Sequence, residues 1–225
     1  MNRPAPPLPR SWPYPPRETS EPPERREGVA LPGLAGLWNL EAVPGLDLSG
    51  EGSGLAGAFG RGGVLRAGSV VLRPYRRGGL LRHVNANLYA GPDRFRQEFQ
   101  VHRALWDAGL PTVEPLGWAH RGRLWGSEGV FLSRFAEGTP WPRSWEQPRG
   151  LEQVRQLLEA LCAWGLFAPD LNATNLLFGP GGELLALDWD GARWAPGPGL
   201  MAHYRERLAR SLRKLGAPAA LIGGL

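Results

Sequence analysis

At 225 residues with 42% hydrophobic content, the chain is long enough for one sizeable core or two small lobes and too short for several independent domains. Its formal charge of +5 rests on 26 basic residues, of which Lys214 is the only lysine, and fits nucleic acid, anionic lipid or phosphorylated ligands alike. The absence of a run of about eighteen uncharged apolar residues excludes a membrane-spanning helix, and the lone Cys162 excludes an internal disulfide.

Residues 1–29 combine repeated prolines with mixed charge and few aliphatic side chains, so burial cannot offset their ordering entropy, and a disordered or extended tail is expected. They lack the short apolar stretch of a secretory signal, so a cytosolic protein is expected. An N-terminal lobe is expected over 30–134. Gly57, Gly60, Gly62 and Gly63 lead into two strands, at Val64–Leu65 and Val70–Leu72, joined by a turn at 67–69. Phe95, Phe99, His102, Leu105 and Trp106 recur near helical spacing from Asp93 to Ala108, and Gly109 with Pro111 stops that helix. Two further strands are read at Val113–Ala119 and Leu124–Phe135.

A C-terminal lobe is expected over 135–225. It begins with a helix at about Leu151–Trp164, where Cys162 reads as core packing, followed by an irregular stretch from Gly165 to Asn175. The apolar runs Leu176–Phe178 and Leu184–Leu187, separated by Gly179, Pro180, Gly181 and Gly182, give a hairpin signal. A last helix covers Leu200–Leu215 with arginines on its outer face.

The sharpest chemical feature is Asp170-Leu171-Asn172-Ala173-Thr174-Asn175, which fits the D-L-x-x-x-N part of a kinase catalytic loop, with Asp188-Trp189-Asp190-Gly191 after the hairpin. Phosphoryl transfer needs a carboxylate to orient the attacking hydroxyl and take its proton, and further oxygen ligands to hold Mg²⁺ against the triphosphate. Asp170 is read as the first, and Asn175 and Asp188 as the metal ligands. Asp and Asn also form ordinary turns, so the weight lies on the combination of loop, hairpin and terminal carboxylate.

These residues, together with Val71-Leu72-Arg73-Pro74-Tyr75-Arg76-Arg77-Gly78-Gly79-Leu80, Phe95-Arg96-Gln97-Glu98-Phe99 and Gly109-Leu110-Pro111, resemble the 3-deoxy-D-manno-octulosonic acid (Kdo) kinase and lipopolysaccharide core kinase family over roughly Phe59 to Gly191. The resemblance implies an α+β, compact two-lobed protein-kinase-like fold with an abbreviated C-terminal lobe. It implies ATP with Mg²⁺, and phosphorylation of a sugar hydroxyl on a lipid-linked acceptor at the cytoplasmic face of the inner membrane. Carried onto this chain, Gly60, Gly62 and Gly63 correspond to the loop over the ATP phosphates. Arg73 stands where a kinase places its phosphate-gripping lysine, and Glu98 where that lysine's helical partner lies. Arg76, Arg77 and Arg82 either engage acidic sugar or lipid phosphates or form a solvated basic loop. Fold analogy puts the adenine-reading hinge at 130–138.

Two departures stand out. Ala168 replaces the histidine that usually braces the loop, and Trp189-Asp190 follow the metal aspartate in place of Phe-Gly, Asp190 being either an added ligand or a turn cap. Three functional readings follow: a sugar kinase acting on a lipid-linked or soluble acceptor, a pseudokinase or glycan-binding module, and a phosphotransferase for a small metabolite or antibiotic. Peripheral contact with an anionic membrane surface fits the charge. The histidines show no zinc spacing, no G-x-S-x-G elbow is present, and the ten tryptophans lack a basic-aromatic pattern, so no nucleic acid is expected.

Overall fold

The computed structural model describes residues 5–18, 21–55, 63–75, 88–141 and 150–225. The chain is a mixed α+β protein that divides into two compact units. One, here the sheet unit, comprises Thr19–Gln100 and Glu114–Phe135; the other, the helical unit, comprises Met1–Glu18, Val101–Val113 and Ala136–Leu225.

The sheet unit is built on seven antiparallel strands: β1 (Glu24–Ala30), β2 (Leu37–Ala42), β3 (Ser53–Gly54), β4 (Leu65–Ala67), β5 (Val70–Pro74), β6 (Pro115–Arg123) and β7 (Gly126–Arg134), in the order β1-β2-β6-β7-β5-β4-β3. Alternation along each strand sorts side chains onto two faces. Leu72, Val130 and Leu132 join Leu40 and Leu116 in one apolar cluster, while the intervening Phe131 joins Tyr75, Phe95, Phe99 and Trp118 in another. Phe95 and Phe99 come from helix α1 (Asp93–Asp107), one helical turn apart and therefore on one face. A glycine is required beneath Phe95, since a Cβ at Gly129 would lie 2.6 Å from its ring.

The second half of α1 belongs to the helical unit and ends in a Schellman motif. Leu110 N donates to Leu105 O at 3.0 Å and Gly109 N to Trp106 O at 2.9 Å, with Gly109 at φ 84. Around it pack α2 (Gly150–Trp164), α3 (Leu200–Lys214) and α4 (Ala219–Gly223). Short strands β8 (Thr139–Pro140), β10 (Leu176–Phe178) and β11 (Leu184–Ala186) make one small sheet, and β9 (Leu166–Phe167) pairs with β12 (Arg193–Trp194). Leu157, Leu161, Leu171, Leu176, Trp189, Tyr204 and Leu208 form its core, with Cys162 packed against them.

The expected helices over 93–108, 151–164 and 200–215 and the hairpin at 176–187 appear within a residue or two. Of the disordered or extended tail expected over 1–29, the described residues 5–18 are extended and docked, and 24–29 belong to a strand. Trp12 Nε1 donates to Ala108 O at 2.7 Å, Trp164 Nε1 donates to Pro6 O at 2.9 Å, and Arg17 lies over the Trp106 ring, all within the helical unit. Trp12 and Tyr14 pack against the core of that unit, and their rings supply the burial that the prolines do not. Residues 24–30 then form β1, an edge strand whose mostly exposed side chains carry no apolar alternation to betray it.

Candidate active site

The β10–β11 hairpin sets the register. Leu176 stands opposite Ala186, and the next residues outward remain paired, with Leu187 N donating to Asn175 O at 2.8 Å. Asn175 and Asp188 therefore leave the hairpin at the same end, Asn175 opposite Leu187 and Asp188 one residue beyond. Asp170 is tied to the same end through its backbone, its carbonyl accepting from Asn172 Nδ2 at 2.8 Å and from Asn175 Nδ2 at 3.2 Å. Asn172 also caps a 3₁₀ turn at Ala173–Asn175, its Oδ1 accepting from Thr174 N at 2.9 Å. The Asp170 side chain is exposed, while Asn175 and Asp188 are half-buried.

One face of α3 holds this loop. Tyr204, Arg207 and Ser211, spaced by three and four residues, all project to the segment 166–173. The Tyr204 hydroxyl donates to Leu166 O at 2.5 Å and accepts from Ala168 N at 3.2 Å. Arg207 meets Asp170 Oδ1 at 3.2 Å, and Ser211 Oγ accepts from Ala173 N at 3.1 Å. The absence of a bracing histidine at Ala168 is thus met by a buried hydroxyl from another element. Burial pushes the Tyr204 phenol well above its ordinary range, so it stays a donor at any physiological pH.

The segment after Asp188 is anchored as firmly. Asp190 N donates to Asp188 Oδ1 at 3.0 Å, fixing the carboxylate in a tight turn. Trp189, fully buried, donates from Nε1 to Thr112 Oγ1 at 2.8 Å, and Thr112 donates in turn to Ala186 O at 2.8 Å. His102 Nε2 lies 2.9 Å from both Thr112 Oγ1 and Val113 O. A phenylalanine at position 189 has no donor for this network, which accounts for the tryptophan.

In the sheet unit, Arg73 on β5 forms an ion pair with Glu98 on α1. The Glu98 side chain is 2% exposed and that of Arg73 25%. The guanidinium carbon also lies 5.4 Å from the Phe131 ring centroid and 5.5 Å from that of Tyr75, within cation–π range of both. Gly63 opens the approach to β4, whereas Gly60, Gly62, Arg76, Arg77 and Arg82 lie outside the described residues.

Among the described residues no group of three His, Cys, Asp or Glu side chains could hold a metal. Asn175 and Asp188 still suit Mg²⁺, which keeps several waters and takes one or two protein oxygens beside substrate phosphates. With Asn175 Nδ2 committed to Asp170 O, its Oδ1 is the atom presented to a cation.

No protein-family model matches the chain. A 3-deoxy-D-manno-octulosonic acid kinase of Xanthomonas oryzae pv. oryzae (strain PXO99A) is 32% identical over 179 residues, covering 69% of this chain and 68% of that protein. The chain belongs to the Kdo kinase family. A second Kdo kinase, of Xylella fastidiosa (strain M12), is 35% identical over 164 residues, and the match spans 66% of this chain but 62% of the Xylella protein's length. Among solved structures, the crystal structure of WbdD matches at a TM-score of 0.45 and 14% identity, over 68% of this chain and 34% of that one.

Sequence reasoning on this Kdo kinase relative missed Tyr204, Arg207, Ser211 and Thr112. The first three carried a signal, polar side chains at i, i+3 and i+7 on a helix whose other arginines face solvent. Thr112 carried none, since Ala186 and Trp189, the two residues it ties together, are more than seventy residues away.

Proposed function

We propose that the chain is an ATP-dependent kinase of the two-lobed, protein-kinase-like kind that phosphorylates a hydroxyl of Kdo or another lipopolysaccharide core sugar. The observation that carries the reading is the gathering of Asp170, Asn175 and Asp188 at one hairpin end, in a member of the Kdo kinase family.

Asp170 is assigned the acceptor hydroxyl, whose proton passes to its carboxylate as the acceptor oxygen bonds to the γ-phosphorus and the bond to the β–γ bridging oxygen breaks, releasing ADP. Arg207 holds one oxygen of that carboxylate and so orients it. Asn175 and Asp188 are the residues to hold Mg²⁺, which when bound supplies charge neutralisation on the phosphates. Arg73, with Gly60, Gly62 and Gly63, is assigned to the phosphate oxygens, and Glu98 keeps the guanidinium in place. The N-terminal lobe is assigned to 30–134 and an abbreviated C-terminal lobe to 135–225. The acceptor is assigned as lipid-linked, met at the cytoplasmic face of the inner membrane; no helix among the described residues is long and apolar enough to cross that membrane.

Arginine at position 73 and alanine at 168 favour a second reading, a glycan-binding module without turnover. Incubation with γ-labelled ATP, Mg²⁺ and a Kdo-bearing lipid acceptor separates the two: label on the glycan is expected. Intact acceptor, together with no Mg²⁺-dependent thermal stabilisation by millimolar ATP, would leave only the module.

A further inference from the structure

The turn joining β6 to β7 carries Leu124 and Trp125, which are 89% and 82% exposed. They are adjacent in sequence and sit at the tip of the longest hairpin in the sheet unit, whose strands stay paired out to Arg123 opposite Gly126. Burial is the rule for tryptophan elsewhere: Trp38, Trp118, Trp141, Trp164, Trp189 and Trp194 are all below a tenth exposed. Arg121 and Arg123 precede the tip, with Glu128 the carboxylate facing both, so the hairpin end carries a net charge of +1 (two arginines, one glutamate).

We propose that this Leu124–Trp125 tip is a membrane anchor that inserts into the headgroup region of an anionic lipid surface. Three considerations select that occupant. A rigid two-stranded hairpin keeps its own backbone hydrogen bonds as it enters the interface, so its tip brings in few unsatisfied polar groups. Tryptophan favours the membrane–water boundary, where its ring is buried and its N–H stays wet, and leucine supplies apolar depth. The chain's +5 charge and the half-exposed Arg123 draw it to anionic headgroups, while Arg121 is held by Glu128, Ala35 O and the Trp38 ring. A second copy of the chain fits less well, because the two tips of such a contact together offer only about 800 Å² of apolar surface, below the roughly 1,200 Å² total over both partners that stable protein interfaces bury.

The inference rests on the proposed reading for the membrane face and adds the element that meets it; the assay reads adsorption and not turnover, so the two can fail separately. The full chain is sedimented with phosphatidylcholine vesicles and with vesicles containing phosphatidylserine, alongside the variants Leu124→Ser/Trp125→Ser, Trp125→Phe and Asp170→Ala. Wild type and Asp170→Ala are expected to bind the anionic vesicles equally. The double variant should lose binding about tenfold or more, with an unchanged thermal midpoint because both side chains are exposed in the folded state. The wild-type minus Trp125→Phe emission difference should shift to the blue on binding. Wild-type binding by the double variant, or a difference spectrum that does not move, would overturn the anchor and leave charge alone. Concentration-dependent self-association abolished by the double variant, with no vesicle binding by wild type, would overturn it in favour of a contact with a second copy.

Discussion

Around Asp170 the charged side chain is exposed and the backbone beneath it is held, by Asn172, Asn175 and one face of α3. At Glu98 the carboxylate itself is buried and paired with Arg73, whose guanidinium lies against the Phe131 and Tyr75 rings. On the proposed function, the first arrangement separates chemistry from stability, since the exposed Asp170 carboxylate contributes little to the core. The second joins them, because a carboxylate in a low-dielectric setting depends on its cation. Substitutions of equal severity should therefore fail in different assays at the two places.

The largest effect is expected for Asp170→Ala, a fall in phosphoryl transfer of ~10²–10⁴-fold with an unfolding midpoint close to wild type, read by a transfer assay and a thermal melt. Normal turnover would remove Asp170 from catalysis. Arg73→Ala should instead destabilise the fold by about 3–5 kcal/mol in urea unfolding, as expected when one partner of a buried ion pair is removed. Addition of Glu98→Gln should recover part of that loss; destabilisation equal to that of Asp170→Ala would erase the contrast between the two places.

Between these extremes lies Tyr204→Phe, which keeps the ring in the core and removes only the hydroxyl serving Leu166 O and Ala168 N. Leaving buried backbone groups unpaired costs about 1–3 kcal/mol. Phosphoryl transfer should fall with it as the Asp170 loop loosens, so this variant, which removes no group assigned to substrate, phosphate or metal, is still expected to register in both the melt and the transfer assay. The smallest effect concerns His120 in the sheet unit, stacked on Trp118 at 5.4 Å. Burial first, and Arg96 second, hold its pKa below the ordinary imidazole value. The unfolded chain then binds a proton that the folded one resists, so this stabilisation is present above pH ~6.5 and declines as the pH falls below it. A His120→Asn variant should show a flatter stability profile over that window.

Much of this was legible because it depends on local pattern. The period of Phe95, Phe99 and Leu105 and the stop at Gly109 and Pro111 define α1. The Gly-Pro-Gly-Gly turn defines the hairpin from whose open end both Asn175 and Asp188 emerge. Illegible were β1, whose polar edge position leaves no alternation, and the docking of Trp12, which depends on a carbonyl at Ala108.

From the order of its residues alone, the chain determined its helices, its central hairpin and the short-range spacing of Asp170 and Asn175, since these follow from steric periodicity and turn chemistry within a few residues. Tertiary structure decided which side chains support them: Tyr204 standing in for an absent histidine, and Thr112 receiving Trp189 from far along the chain. Buried polar groups must find partners wherever folding brings them, and no local pattern encodes a partner that only the packed core supplies.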